Sequence, residues 1–264
     1  MKISKWLLLS LLCSTRVLAL SIDHPVTFND DTLGIYSKEN FKKDWDMNPN
    51  ASSGQSSHRL NIVSDRDDPN NHVLEVTYNA NQVGGNSAMV FTPSLNGTYD
   101  HLIFQYKVKF ADDFTWIKGG KLPGLTSSPD SPTGCIDNDT FDGFSARYMW
   151  RGEGVLRGYV YSPEKKERCG DYYDSNPMFY FNKGVWYTLK QEVFLGTPGE
   201  RNGYIKAWID GQPILSVTNL MLRRNASVMI DQVKMDTFFG GSSNEWAPTT
   251  NQHVYFNDFE IRQP

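Results

Sequence analysis

The sequence predicts an all-β chain, folded as a β-jelly-roll sandwich of two antiparallel sheets with a concave cleft. Three observations carry that prediction. Apolar and polar residues alternate with period two through most of the length. Gly, Pro, Asn and Asp punctuate the alternating runs, and no segment sustains a 3.6-residue period. About ten strands follow, and so many half-apolar strands require a second layer closing over the first.

The runs are VLEVTY (73–78), SAMVF (87–91), HLIFQYKVKF (101–110), FSARYMW (144–150), LRGYVYS (156–162), WYTLKQEVFL (186–195), YIKAWID (204–210), IDQVKMDTFF (230–239) and HVYFNDFEI (253–261). Asp210-Gly211 is a hairpin signal between two of them, and Gly152-Glu153-Gly154 is a short turn that pairs two others. The one helical candidate spans 37–44. Alternation places Phe144, Ala146, Tyr148 and Trp150 on a core face, with Ser145, Arg147, Met149 and Arg151 on the other. An arginine buried without partners is costly, so the second set is expected on a solvated, concave face. Arg157, Tyr159 and Tyr161 join it from the neighbouring strand. Lys121 follows Gly119-Gly120 and precedes Leu122-Pro123-Gly124, so a turn is expected to present it. Lys107, Arg151, Arg157 and Trp208 are the candidate substrate-binding residues around this cleft.

The opening MKISKWLLLSLLCSTRVLAL reads as a secretory signal cleaved after Ala19, leaving one extracellular domain over 20–264. Its apolar run is far short of the ~20 residues of a spanning helix, and no membrane association is expected. Cleavage removes Lys2, Lys5 and Arg16 and no acid, so the formal charge falls from −4 to about −7. That balance argues against nucleic acid as a partner, and it repels a polyanion unless a local basic groove overrides it. Cys13 leaves with the signal. Cys135 and Cys169 remain and are expected to form a disulfide, with two free thiols as the alternative. In the chain-entropy model the cross-link contributes ~3–4 kcal/mol. Sequons at Asn50, Asn96, Asn138 and Asn225 are candidate glycosylation sites.

Several chemistries lack their residues. A sandwich glycosidase needs two carboxylates on one strand face, and the only in-strand pair at that spacing is Asp258 and Glu260, in a strand that reads as a polar face. The five histidines are scattered, no G-x-S-x-G occurs and no cluster has zinc spacing, so no metal or cofactor is expected. β-Elimination from a uronic acid polymer needs something else: a cation on the carboxylate, a base for the C5 proton and an acid for the leaving oxygen. Lys and Arg stabilise the enolate charge. A tyrosine serves as base and acid if a nearby cation lowers its pKa from ~10.

KGGKLPGL (118–125), FSARYMWR (144–151), YVY (159–161), YIKAWIDGQ (204–212) and FFGG…EWAP…YFNDF (238–259) together resemble polysaccharide lyase family fourteen. The resemblance runs from about residue 73 to the end of the chain. It implies a jelly roll whose cleft is lined by Lys121, Ser145, Arg147, Tyr159 and Tyr161 and supports alginate or glucuronan lysis. Glucuronan lyases of family twenty are a more distant jelly-roll resemblance. Where related chains continue after KLPGL with a Gly-Gly pair, this one has Thr126-Ser127-Ser128-Pro129, in a loop bordering the cleft.

The resulting expectation is a secreted, monomeric, endo-acting polyuronate lyase on an acidic polysaccharide. Arg147 and Lys121 neutralise the carboxylate, with Lys121 an alternative base, Tyr159 and Tyr161 exchange protons, and Ser145 holds the sugar or a tyrosine. A non-catalytic lectin on the same sandwich is the alternative; it keeps Lys107, Arg147 and Trp208 but needs neither both tyrosines nor Lys121. A family-sixteen-like hydrolase is the third reading, and the missing acid pair weighs against it.

Overall fold

The computed structural model describes residues 24–48, 52–55 and 57–264. The expected signal segment and the Asn50 sequon lie outside the described residues. In chain order the strands are β1 (Gly34–Ile35), β2 (Leu60–Ser64), β3 (His72–Tyr78), β4 (Ser94–Tyr99), β5 (His101–Phe110), β6 (Gly119–Ser127), β7 (Ser145–Arg151), β8 (Val155–Tyr161), β9 (Asp171–Asp174), β10 (Trp186–Phe194), β11 (Gly203–Ile209), β12 (Gln212–Leu220), β13 (Ile230–Lys234), β14 (Phe238–Phe239) and β15 (Gln252–Arg262). One helix, α1 (Lys38–Trp45), precedes β2. Eight strands form one antiparallel sheet in the order β1-β2-β3-β15-β5-β10-β11-β12. The second sheet runs β4-β13-β6-β7-β8-β9, with β14 pairing β6. This is the expected jelly-roll sandwich.

Period-two alternation fills the space between the sheets. Leu102, Phe104, Tyr106, Val108 and Phe110 of β5 point inward, as do Ile205, Ala207 and Ile209 of β11 and Ala146, Tyr148 and Trp150 of β7. Trp150 stacks on Tyr78 at 5.8 Å and meets the edge of Phe110 at 5.4 Å. Each fully buried side chain of this size contributes about 1.5–3 kcal/mol. The hairpins form where expected: Asp210 (φ 49) and Gly211 (φ 80) turn β11 into β12, and Glu153 (φ 64) and Gly154 (φ 82) turn β7 into β8.

Three expectations change. Lys121 lies inside β6, not on a turn. Pro123 donates no hydrogen bond, and the β6–β7 register shifts between Leu122 and Leu125 to accommodate it. A Cβ on Gly124 would stand 1.9 Å from the Ala146 carbonyl oxygen, so only glycine fits that close approach. Gln191 of β10 repairs the irregularity across the sandwich, accepting from Leu125 N at 2.9 Å and donating to Ala146 O at 2.8 Å. Next, the run at 87–91 makes no strand; it makes a 3₁₀ turn (Gly85–Ser87) and isolated bridges through Met89 and Val90. Finally, β15 bulges between Asn257 and Glu260, with Asp258 at φ 51. The bulge turns Asp258 out to Lys107 at 2.7 Å and lets Phe259 and Ile261 stay in the core.

Helix α1 closes one end. Ser37 caps it by accepting from Asn40 N at 3.0 Å, and Phe41 and Trp45 enter the core. Behind it, Asp44 accepts from Tyr36 OH at 2.6 Å and stands 3.2 Å from Lys43. Burial, with a contribution from Asp31, raises the Asp44 carboxyl to about 6. Because that lies above the unfolded value, the stabilisation from this group is full below about pH 4 and is lost as pH rises through 6. Asp44→Asn should therefore gain a few degrees of Tm over the wild type at pH 8 and nothing at pH 4, measured by thermal unfolding across that range. Equal Tm differences at both pH values would contradict the assignment.

Candidate active site

The outer face of the seven-stranded sheet carries the site. Register pairs Lys121 with Met149, Arg147 with Tyr159, Ser145 with Tyr161 and Met149 with Arg157, so all these side chains emerge on one face of β6, β7 and β8. At its centre, Lys121 Nζ sits 3.2 Å from the centroid of the Tyr159 ring and 3.0 Å from Met149 Sδ. Met149, Tyr159 and Tyr161 form a small apolar cluster of their own, separate from the core. A lysine in such surroundings is poorly solvated. Burial, reinforced by the charges of Arg147 and Arg151, pushes Lys121 well below the usual lysine value, while Asp236 pulls it the other way. Its amine gives up a proton more readily than that of an ordinary lysine.

The tyrosines behave in the opposite sense to the sequence-based premise. Burial raises both, and for Tyr159 and Tyr161 it outweighs the nearby Arg147 charge. Both are therefore protonated phenols. Their hydrogen bonds form a directed chain. Gly170 N–H donates to Tyr159 OH at 3.1 Å, and the two hydroxyls are 2.9 Å apart. Tyr161 OH donates to the Gly134 carbonyl at 2.7 Å. With its own proton on Gly134, Tyr161 accepts from Tyr159. Gly170 is confined by this pair, since a Cβ there would lie 2.8–2.9 Å from both rings.

Ser145 and Arg147 are on the expected face, but that face is not solvated where they stand. Ser145 is 0% and Arg147 1% exposed. Ser145 Oγ donates to Pro132 O at 2.8 Å, which leaves Pro132, not a tyrosine, as its partner. Arg147 meets the cost of burial through an acid that the motif reading passed over: Nη1 contacts Asp236 at 2.6 Å, and Nη2 donates to Thr133 Oγ1 at 3.2 Å. Lys234, buried, lies 3.8 Å from the same carboxylate, and burial lowers its pKa. A signal for both existed. In VKMD the apolar Val233 and Met235 face the core, so Lys234 and Asp236 must share the front. Met149 carried no such signal, because a methionine on a strand reads as packing.

The remaining candidates divide between two places. Arg151 and Arg157 border the centre. With Lys118, Gly152, Val155 and Met178 they line a groove of about 400 Å³. Arg151 lies 5.0 Å over the Trp246 ring and 5.9 Å from Tyr172, and Arg157 pairs with Asp174. Lys107 and Trp208 belong instead to β5 and β11 of the other sheet. They face away from the core, Lys107 on Asp258 and Trp208 beneath Lys190 Nζ at 3.9 Å, so neither can line this cleft. Their strands have the right alternation, but alternation does not tell which sheet a strand joins. Another cavity of about 400 Å³, on the eight-stranded sheet, is walled by Asp65, Asp67, Asp112 and Asp113, with Lys109 tied to the first two; its acidic wall suits no polyanion. Asp258 and Glu260 lie on that same sheet and form no acid pair in the site.

Cys135 and Cys169 are bonded, with Cα atoms 4.1 Å apart. Asn96 and Asn225 are exposed. Asn138 is half-buried, and its amide donates to Lys165 O at 2.7 Å. Among the described residues no cluster of three His, Cys, Asp or Glu could hold a metal, and no helix is long and apolar enough to cross a membrane.

A jelly roll with a depressed lysine, two phenols and arginines on one sheet face, and no acid pair, is the architecture of a polysaccharide lyase. The profile of polysaccharide lyase 14 matches residues 66–259, and the chain belongs to that family. No curated protein matches the sequence. Among solved structures, the alginate lyase Aly36B superposes with a TM-score of 0.78 at 22% identity, covering 90% of this chain and 96% of its own. The marine family-14 alginate lyase from Aplysia kurodai gives 0.69 at 23%, covering 81% and 89%, and the alginate lyase vAL-1 from Chlorella virus gives 0.64 at 20%, covering 73% and 85%. Aly36B has also been solved with alginate tri- and tetrasaccharides, as variants in which a lysine and either a methionine or a tyrosine are replaced by alanine.

Removing Asp236 should show how much rests on the buried pair. Asp236→Ala leaves Arg147 charged and uncompensated, and such a change costs about 3–5 kcal/mol. Urea unfolding should report a loss of that order; an unchanged midpoint would mean that Arg147 finds another partner.

Proposed function

We infer that the protein is a secreted lyase that cleaves a β-1,4-linked polyuronate, alginate or glucuronan, by β-elimination, and that Lys121 is its base. One observation carries the assignment of the base: a buried amine, 3.2 Å above a phenol ring and beside two arginines, whose surroundings favour its neutral form. The carboxylate of the sugar meets Arg151 at the open side of the site, and the buried charge of Arg147 adds to the field that stabilises the enolate. Lys121 Nζ takes the C5 proton and becomes an ammonium. The C5 electrons form the C4–C5 double bond, and the C4–O bond breaks. The departing oxygen takes a proton from the Lys121 ammonium. The phenols supply neutral dipoles and hold no charge of their own, since Tyr159 directs its proton at Tyr161 and Tyr161 at Gly134. The residue types replaced in the Aly36B oligosaccharide complexes match the three that meet here, Lys121, Met149 and a tyrosine, which supports the reading.

Ultraviolet absorbance of unsaturated uronate ends, measured separately on polymannuronate, polyguluronate and glucuronan, tests both the reaction and the substrate. Product is expected on at least one polymer and none from Lys121→Ala. Binding without chain shortening would favour the lectin, and new reducing ends without a double bond would favour hydrolysis. The pH profile tests the base. Activity should fall as pH drops through the Lys121 pKa, because the ammonium cannot accept the proton. Arg151→Gln removes one of the cations that lower this pKa, so the acid limb of kcat/KM should move to higher pH. An acid limb that stays put would remove Lys121 from the role of base.

A further inference from the structure

Residues 131 to 134 run across the front of the seven-stranded sheet, not along it. Ser131 Oγ accepts from Lys234 Nζ at the end of β13 at 3.1 Å and bonds Thr126 of β6 at 2.9 Å. The Pro132 carbonyl accepts from Ser145 and the Thr133 hydroxyl from Arg147, both on β7. The Gly134 carbonyl accepts from Tyr161 on β8. Four consecutive residues thus step across four neighbouring strands, and at each step they meet a polar group of the site. Cys135 comes next, bonded to Cys169, and Cys169 precedes the Gly170 whose N–H meets Tyr159. Thr133 and Gly134 are exposed, whereas Ser145, Arg147 and Tyr161 beneath them are buried.

We propose that this disulfide-pinned strap is a positioning element of the elimination site, with Gly134 setting the direction of the tyrosine protons and Thr133 fixing the guanidinium of Arg147. The assignment rests on the elimination reading. Its physical content is directional. A Tyr161 proton given to Gly134 leaves Tyr161 an acceptor, and that draws the Tyr159 proton away from the substrate and toward Tyr161. The face of the Tyr159 ring, and not its hydroxyl, is then what Lys121 meets. Without the Gly134 carbonyl the two hydroxyls can reverse their order. Without the Thr133 hydroxyl, Arg147 keeps Asp236 but loses the second contact that fixes the plane of its guanidinium. Asp130, just before the strap, accepts from Asp142 N at 3.0 Å, and the Cys135–Cys169 bond holds the other end.

The test compares oxidised wild type, wild type reduced with a phosphine, Thr133→Val and Thr133→Ser, on whichever of polymannuronate, polyguluronate or glucuronan the oxidised protein degrades fastest. Thermal unfolding is followed in parallel. Thr133 itself is exposed, so Thr133→Ser should keep the wild-type Tm and Thr133→Val should lose only the few degrees that one contact to Arg147 supplies, with activity measured well below either Tm. Reduction and Thr133→Val should each lower kcat roughly tenfold, the size of one charge-assisted hydrogen bond. KM should move by less than about twofold, since the strap acts on groups that work in the transition state. Thr133→Ser restores the hydroxyl and should restore kcat. Unchanged or raised kcat after reduction or in Thr133→Val overturns the strap's role and leaves elimination standing. Equal losses in Thr133→Val and Thr133→Ser also overturn it, because the hydroxyl is then not the operative group. If the oxidised wild type forms no unsaturated ends on any of the three polymers, elimination and the strap's role fall together.

Discussion

A lysine wedged between a thioether and the face of a phenol, with two arginines nearby, cannot readily hold a proton, and the front of the seven-stranded sheet is arranged around that constraint. Each neighbour contributes in one direction. Met149 offers sulfur, a weak acceptor, where an ordinary buried lysine would find a carboxylate. The one carboxylate close by, Asp236, is engaged with Arg147 at 2.6 Å and opposes the shift without reversing it. The same pair makes Arg147 tolerable in a site where it is 1% exposed, since a buried guanidinium with no counter-charge would destabilise the sheet that carries it.

The rest of the sandwich keeps those side chains in place. Trp150, two positions from Tyr148 on the back of β7, is locked by Tyr78 and Phe110, and this fixes the strand whose front carries Arg147, Met149 and Arg151. Gln191 reaches across from the other sheet to satisfy the backbone opened by the irregularity at Pro123. That irregularity falls two residues after Lys121. A regular β6 would shift the parity of everything beyond it, so the glycine and proline of KLPGL are geometric devices that let one strand carry both Lys121 and Thr126 in their observed places.

Much of this was legible in residue order, and the gaps have physical causes. Alternation located β5, β7, β8, β10, β11 and β15 nearly residue for residue, because each packs one face on a core and leaves the other polar. It failed at β6, where Gly119, Gly120, Pro123 and Gly124 carry turn chemistry although the segment is a buried strand. Alternation also cannot say which sheet a strand joins, and so Lys107 and Trp208 were grouped with a cleft on the opposite side of the sandwich. At the site, the lysine, arginine and tyrosines stood out as unusual polar positions on a strand face. Met149 did not, because its role comes from what it touches. Burial itself was the hardest property to read. The sequence predicts a wet front face, whereas Ser145, Arg147, Tyr159 and Tyr161 are buried, and that burial raises both tyrosines where a nearby cation was expected to lower them.

The charge distribution also reconciles a net acidic chain with the polyanionic substrate proposed for it. The formal balance of −4 counts residues without regard to place. Asp65, Asp67, Asp112 and Asp113 are gathered around a cavity on the eight-stranded sheet. Lys118, Arg147, Arg151, Arg157 and Lys234 are gathered around Lys121 on the front of the other, where Asp236, Asp174 and Glu245 offset only part of their charge. Field in a groove with apolar walls depends on the charges that line it more than on the distant total. Two consequences follow from the same lining. Arginine side chains retain their charge at any accessible pH, so they would attract the anionic sugar of the proposed substrate continuously. The lysine among them is lowered first by its burial and then by their charge, so on the proposed reaction the groups that would draw a carboxylate in also favour the neutral form of the base.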